Sequence, residues 1–430
     1  MEAKNRISIW LEKQKDLVFI LWCIAGAFIT YFSMYAFRKP FSAALYEGIL
    51  LWGMPYKVVL IISQVMGYTC SKFLGIKVVS EMPPERRARY ILLLIGLSWL
   101  ALLCLGIVPA PYNFLFLFLN GLPLGMIWGL VFAFIEGRKN TELLAAGLAS
   151  SFIVASGVVK SIGLSFVLNG VSEFWMPFLT GFCFIPSLLL GVWMLTKIPP
   201  PTQLDEALRT KRTPMNAQER WAFFRTFAPG IILMTLVYIA LNAYRDFRDN
   251  FAVEIWKDLG YAEQPEMLTY SEVPIAIVVL IIIAAMIFVQ NHRLVFYTNL
   301  VVIGLGGLTV LLTTYFFVNG YLHPAIWMIS VGFGMYLAYI SYNVVLFERW
   351  IALFKYVSNI GFLMYISDSF GYLGSVAVML YQHFFQSTLS WLDFFVEISY
   401  AMGIISLVLS AVALIYFYKK ELRHTKTPMN

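Results

Sequence analysis

Arg38 and Arg248 stand 210 residues apart in two copies of one short pattern, Phe37-Arg38-Lys39-Pro40-Phe41 and Phe247-Arg248-Asp249-Asn250-Phe251. Each copy ends a long apolar stretch, and apolar chain resumes after the first through Ala43, Ala44 and Leu45. A charge near a bilayer centre costs about 2.5–3.5 kcal/mol on insertion scales, so an arginine kept there is expected to have a use. A guanidinium presents a planar fork of donors that meets two oxygens of an anion at once. Two forks, one from each copy, would hold one dianion in a central cavity. Counted from the start of the second stretch, Arg245 fills the role as well as Arg248. The plainer reading is that these arginines snorkel to the interface.

Three more charges fall inside apolar stretches. Lys72 lies in Ser71-Lys72-Phe73, Lys160 in Lys160-Ser161-Ile162-Gly163, and Asp368 in Asp368-Ser369-Phe370-Gly371. Lys160 and Asp368 occupy equivalent places in the repeat. Opposite signs there point to an ion pair, or to a lysine that holds an anion while the aspartate takes a proton; a static packing pair is the plainer reading. Arg245, Asp246, Asp249 and Glu254 supply local partners around the second copy. Tyr31, Tyr35, Tyr238 and Tyr244 are spaced to line their stretches, and Tyr336, Tyr339 and Asn343 share a helical face at i, i+3, i+7. Tyr35 is taken with Arg38, Arg248, Arg245, Lys72, Lys160 and Asp368 as the candidate substrate-binding set. No nucleophile elbow, phosphate-cradling loop or metal-ligand cluster is visible, so the chain is read as having no cofactor and no enzymatic activity. The four cysteines form no C-x-x-C spacing.

These residues need elements that hold them inside a bilayer. The chain is 60% hydrophobic and 13% charged, against about 25% charged in a soluble domain. It is read as an all-α polytopic membrane protein. About 20 apolar residues cross a bilayer core, and about twelve such spans are expected, near 17–46, 55–79, 90–108, 113–135, 143–167, 174–196, 227–251, 271–290, 295–318, 324–347, 353–381 and 394–418. The polar stretch Lys197 to Arg225, opening on Pro199-Pro200-Pro201, divides six spans from six. This gives an N-terminal half (1–196), a central loop (197–225) and a C-terminal half (226–430), pseudo-symmetric at an offset near 210.

The net charge of +7 does not point to nucleic acid. Its basic residues sit in alternate short loops, at Arg86, Arg87 and Arg89, at Arg138 and Lys139, at Arg293 and at Arg349, and in the central loop and tail. Lys and Arg collect on the cytoplasmic side, so both termini and the central loop are expected inside, in a plasma (inner) membrane. The expected partners are the lipid bilayer, a small anionic substrate and a coupling proton or counter-anion, with the chain a monomer.

Two six-span halves in parallel repeat resemble the major facilitator superfamily, whose halves pack about a midplane site. Tyr35-x-x-Arg38-Lys39-x-Phe41 resembles the first-span signature of its organophosphate–phosphate antiporters, the glycerol-phosphate and hexose-phosphate transporters. Ser71-Lys72-Phe73 is similar to their second span, and Asn120-Gly121-x-x-x-Gly125-x-x-Trp128 more loosely to their fourth. Gly121 and Gly125 also have the small-xxx-small spacing of close helix packing. The resemblance implies the major facilitator fold, an arginine pair at the cavity apex, and secondary transport of a small organic anion, with phosphorylated metabolites among the candidates. The chain departs from that branch in two places. After Gly75 the loop motif is stretched across Glu81, Arg86, Arg87 and Arg89, and 152–163 holds Lys160 where the antiporters carry a histidine. Both departures leave the phosphate, and exchange against it, open. The alternative is a transporter-shaped membrane sensor that binds an anion and signals without transport.

Overall fold

Inside a bilayer every backbone N–H and C=O must find a partner within the protein, and a helix satisfies its own. The computed structural model describes residues 6–80, 82–138, 140–201, 217–354, 360–386 and 388–426, and most of them are helical. Glu81, Lys139, central-loop residues 202–216 and the start of the expected eleventh span at 355–359 lie outside the described residues. In chain order the helices are α1 (Arg6–Glu12), α2 (Asp16–Tyr35), α3 (Tyr56–Ser80), α4 (Pro84–Ile107), α5 (Phe114–Leu124), α6 (Ile127–Ile135), α7 (Thr141–Leu168), α8 (Met176–Cys183) and α9 (Ile185–Thr196). They continue as α10 (Ala217–Asn250), α11 (Ala252–Asp258), α12 (Met267–Tyr270), α13 (Glu272–Phe288), α14 (His292–Val318), α15 (Pro324–Ile340), α16 (Phe347–Phe354), α17 (Ile360–Phe385) and α18 (Trp391–Lys426).

Among the described residues ten stretches are long and apolar enough to cross a membrane, eleven if α8 and α9, bent by 45°, count as one. Helix α17, at the place of the eleventh expected span, adds 26 residues of helix beyond those. The chain is an integral multi-pass membrane protein.

The contacts group the chain into two units, Met1–Arg209 with Asn250–Val273, and Thr210–Asp249 with Pro274–Asn430. In the first unit α2 packs on α7 and α9, and α5 lies between α3 and α4. The approach of α5 to α3 is set by glycine: a Cβ at Gly67 would meet Phe118 O at 2.1 Å, and one at Gly121 would meet Gln64 O at 2.3 Å. The motif Asn120-Gly121-x-x-x-Gly125 thus does the packing its small-residue spacing allows. A two-residue hairpin, β1 (Leu50–Leu51) with β2 (Met54–Pro55), turns at Trp52 and Gly53, both at positive φ.

In the second unit α14 packs against α18 and α15. Its core is aromatic: Trp327 stacks on Phe317 with centroids 4.0 Å apart, and Trp350 and Phe417 meet edge to face at 4.5 Å. A π-helical turn, Ser341–Leu346, interrupts the passage from α15 to α16. Such turns re-aim side chains and gather at functional sites.

Candidate functional site

The first expected span runs to residue 46, but α2 ends at Tyr35. Pro40 has no N–H to continue a helix, and the chain leaves α2 through a turn in which Arg38 N and Lys39 N both donate to Tyr35 O, at 3.0 and 2.9 Å. It then enters a 3-10 turn at Pro40–Ala43. The carbonyls freed by this break are buried and need donors. Asn120 of α5 donates to Phe37 O at 2.8 Å, and Gln64 of α3 donates to Arg38 O at 2.7 Å and to Asn120 Oδ1 at 2.7 Å. The glycine contact at 121 brings Gln64 and Asn120 close enough for this clamp.

The clamp holds Arg38, 7% exposed, with its guanidinium 4.0 Å from the centre of the Tyr68 ring and 5.8 Å from that of Tyr35. Lys72, one turn along α3, lies 5.4 Å from the same Tyr68 ring. Arg38, Tyr35 and Lys72 are therefore brought together around Tyr68. Tyr31 extends the aromatic wall through Tyr35 and Trp128.

Lys160 belongs to a different group in the same unit. Lys57, at the start of α3, has its Nζ 2.5 Å from Glu254 Oε1 and donates to Ser42 O at 2.7 Å. Lys160 adds a second positive field on the Glu254 carboxyl. Burial raises that carboxyl above the ordinary range, and Lys57 and Lys160 oppose the rise. The sequence assigns Glu254 to the arginines of its own stretch; α11 instead delivers it to Lys57. Lys39 donates to Asn250 Oδ1 at 2.9 Å, and Ser161 Oγ donates to Pro265 O at 2.6 Å. A Cβ at Gly157 would meet Leu268 O at 2.2 Å. Residues 250–273 are thereby seated on α7 and on the turn that carries Arg38.

In the second unit Arg245 and Arg248, one turn apart on α10, have different surroundings. Arg248, 4% exposed, lies on the backbone of α15. Its Nη2 donates to Met328 O at 3.2 Å, and a Cβ at Gly332 would stand 2.7 Å from that nitrogen. Arg245 stacks 4.3 Å above the Tyr339 ring and pairs with Asp246 at 2.7 Å. Asp246 also accepts from Ser375 Oγ at 2.8 Å, and Asn242 donates to Ser375 Oγ at 3.0 Å. Asp368 accepts from Tyr238 OH at 2.5 Å, and Tyr238 OH lies 3.2 Å from Tyr339 OH. The π turn sets Tyr342 against Tyr238, with centroids 4.7 Å apart, and Tyr342 OH lies 2.8 Å from Ser367 Oγ. Asp368, Tyr238, Tyr339 and Arg245 form one cluster. Tyr244 instead stacks on Phe395 and meets Ser399, a packing role.

Sequence reasoning missed Lys57, Tyr68, Gln64 and Ser375. Lys57 carried the usable signal, a lysine entering an apolar run, but it sits at the edge of its span, where a lysine ordinarily reaches the interface.

Residues 40–420 match the family described as "Family of unknown function (DUF5690)", and the chain belongs to that family. No curated protein matches the chain. Similar solved structures include a mutant of a peptide transporter, POT, with TM-score 0.64 and 13% identity over 98% of this chain and 99% of that one. The same mutant transporter in complex with sulfate gives 0.63 and 14% over the same shares. A D-xylose-proton symporter gives 0.58 and 12% over 91% and 96%. At these identities the likeness is one of fold. The fold is that of the major facilitator transporters expected from the sequence. None of these three is an organophosphate antiporter, the branch its short motifs resemble.

Proposed function

We propose that this chain is a secondary transporter of a small organic anion, working by alternating access in the plasma (inner) membrane as a monomer with both termini cytoplasmic. The observation that carries the reading is that each unit seats one arginine, largely withdrawn from solvent, on a tyrosine face, Arg38 on Tyr68 and Arg245 on Tyr339. A guanidinium held over a ring face can still donate from its edges to a carboxylate or phosphate. Arg245 donates from Nε and Nη2 to Asp246 Oδ1, so the substrate anion would compete with Asp246 for that edge. Lys72 beside Tyr68 adds a point charge to the first group. Asp368, bonded to Tyr238 in the Arg245 cluster, is the carboxyl proposed to take the coupling proton. Arg248 is assigned the lesser part of fixing α10 against α15. One of the similar structures is a proton symporter, which supports the choice of a proton as the coupling ion.

The test is uptake into proteoliposomes under an imposed proton gradient, against a panel of small carboxylates, phosphomonoesters and neutral sugars. Saturable uptake of an anion, and none of the sugars, is expected. Arg38→Lys and Arg245→Lys keep the charge but lose the fork, and each should raise KM about tenfold or more, the scale of one charge-assisted bond. Saturable binding with no flux would overturn transport in favour of sensing. Uptake of a neutral solute, indifferent to both variants, would overturn the anion.

A further inference from the structure

The C-terminal end of α18 carries a second cationic site, separate from the groups above. Tyr416, Lys419, Lys420 and Arg423 line one cavity of about 390 Å³. Tyr416, Lys419 and Arg423 recur at i, i+3, i+7 and so share a helical face. Lys420 turns inward, donating to Thr226 O and lying 5.0 Å from the Phe227 ring centre. The acidic residue within this run, Glu421, accepts from Arg293 Nε at 2.8 Å and from Tyr297 OH at 2.7 Å. The cavity lining is thus three cations and a phenol.

The same helix continues below these cations as an exposed apolar stripe. Ile404, Val408, Val412 and Ile415 are each 44–53% exposed, and their spacing of four, four and three residues carries one face up to Lys419. A soluble anion has no use for such a stripe. A phospholipid uses both parts, with its phosphate among Lys419, Lys420 and Arg423 and an acyl chain along Val412 and Ile415. Clusters of Lys and Arg at the end of a membrane helix attract anionic lipid headgroups.

We propose that the cavity at the end of α18 binds the headgroup of an anionic glycerophospholipid. The experiment is native mass spectrometry of the full detergent-purified chain with phosphatidylglycerol and, separately, phosphatidylcholine. Phosphatidylglycerol should bind about tenfold or more tightly than phosphatidylcholine, the scale of two surface cations acting on one anion. Lys419→Gln with Arg423→Gln should abolish the preference, and the charge-retaining pair Lys419→Arg with Arg423→Lys should keep it. Arg86→Gln with Arg89→Gln removes the same charge at exposed positions of the other unit and should leave the preference intact. Equal retention of the two lipids, or equal loss in the Arg86/Arg89 variant, would overturn the site. Displacement of phosphatidylglycerol by millimolar inorganic phosphate would overturn the lipid and leave a site for a soluble anion.

Discussion

Lys57 and Glu254 have side chains 3% and 9% exposed and lie 2.5 Å apart. Removing one member of a buried pair strands the other, at about 3–5 kcal/mol, whereas replacing both with neutral groups of similar size is far milder. Lys57→Met should therefore lower the thermal midpoint sharply, and Lys57→Met with Glu254→Gln should recover most of the loss. The pH dependence gives the sign. Burial already raises the Glu254 carboxyl and Lys57 opposes the rise, so the single variant raises it further. A carboxyl that holds its proton more tightly in the folded chain stabilises the fold below the ordinary carboxylate range, and that contribution is lost as pH climbs through the raised value. The midpoint of Lys57→Met should climb as pH is lowered from neutrality toward the ordinary glutamate value of about 4.3, and the double variant should show no such slope. Thermal melts of purified protein read both; a flat profile in the single variant would mean that Lys160, the second positive charge on Glu254, is enough to hold the carboxylate without Lys57. At this scale the sequence shows which residues are costly but not what they meet. Arg38, Lys160 and Asp368 stand out because charge interrupts apolar chain, whereas Tyr68 is one of 24 tyrosines and only the fold places it under Arg38.

The elements were legible where apolar length alone defines them and illegible where they break. Helix α2 stops about ten residues before its expected end because Pro40 and the Gln64–Asn120 clamp stabilise a non-helical turn, and a length count carries no sign of a clamp made from two other helices. Gly121 links the helix contact to the site. Gly121→Ala would set a methyl 2.3 Å from Gln64 O, push α5 off α3 and open the bonds that hold Phe37 O and Arg38 O. Overpacking of this kind costs about 1–3 kcal/mol, and the same displacement should impair the anion binding proposed above. Gly96→Ala is the matched comparison: a Cβ there meets nothing within 4 Å, and alanine favours a helix over glycine by about 0.5–1 kcal/mol. Expression and thermal midpoint should fall for the first and hold or rise for the second. Equal behaviour would mean α3 and α5 separate without cost.

The chain-order halves and the contact-defined units differ at 250–273, a stretch that follows α10 in sequence yet groups with the first unit. A pattern recurring at an offset near 210 could not reveal this, because likeness between two stretches does not say which buried surfaces a connecting segment covers. Among the features that fasten the stretch are the Lys57–Glu254 pair, the Lys39–Asn250 bond, and the contact of Ser161 Oγ with Thr269 Oγ1 at 2.7 Å. If the stretch rides with the first unit through the proposed transport cycle, fixing it there covalently should do no harm. Ser161→Cys with Thr269→Cys, in a background lacking Cys23, Cys70, Cys104 and Cys183, places two thiols where the hydroxyls now meet. Oxidation should close a disulfide, detected as loss of thiol labelling, while uptake into proteoliposomes stays within about twofold of the reduced protein, a difference of less than about 0.5 kcal/mol in the rate-limiting barrier. Uptake that falls on oxidation and returns on reduction would show instead that 250–273 must leave α7 during each cycle, and that the Lys57–Glu254 pair breaks and reforms with it.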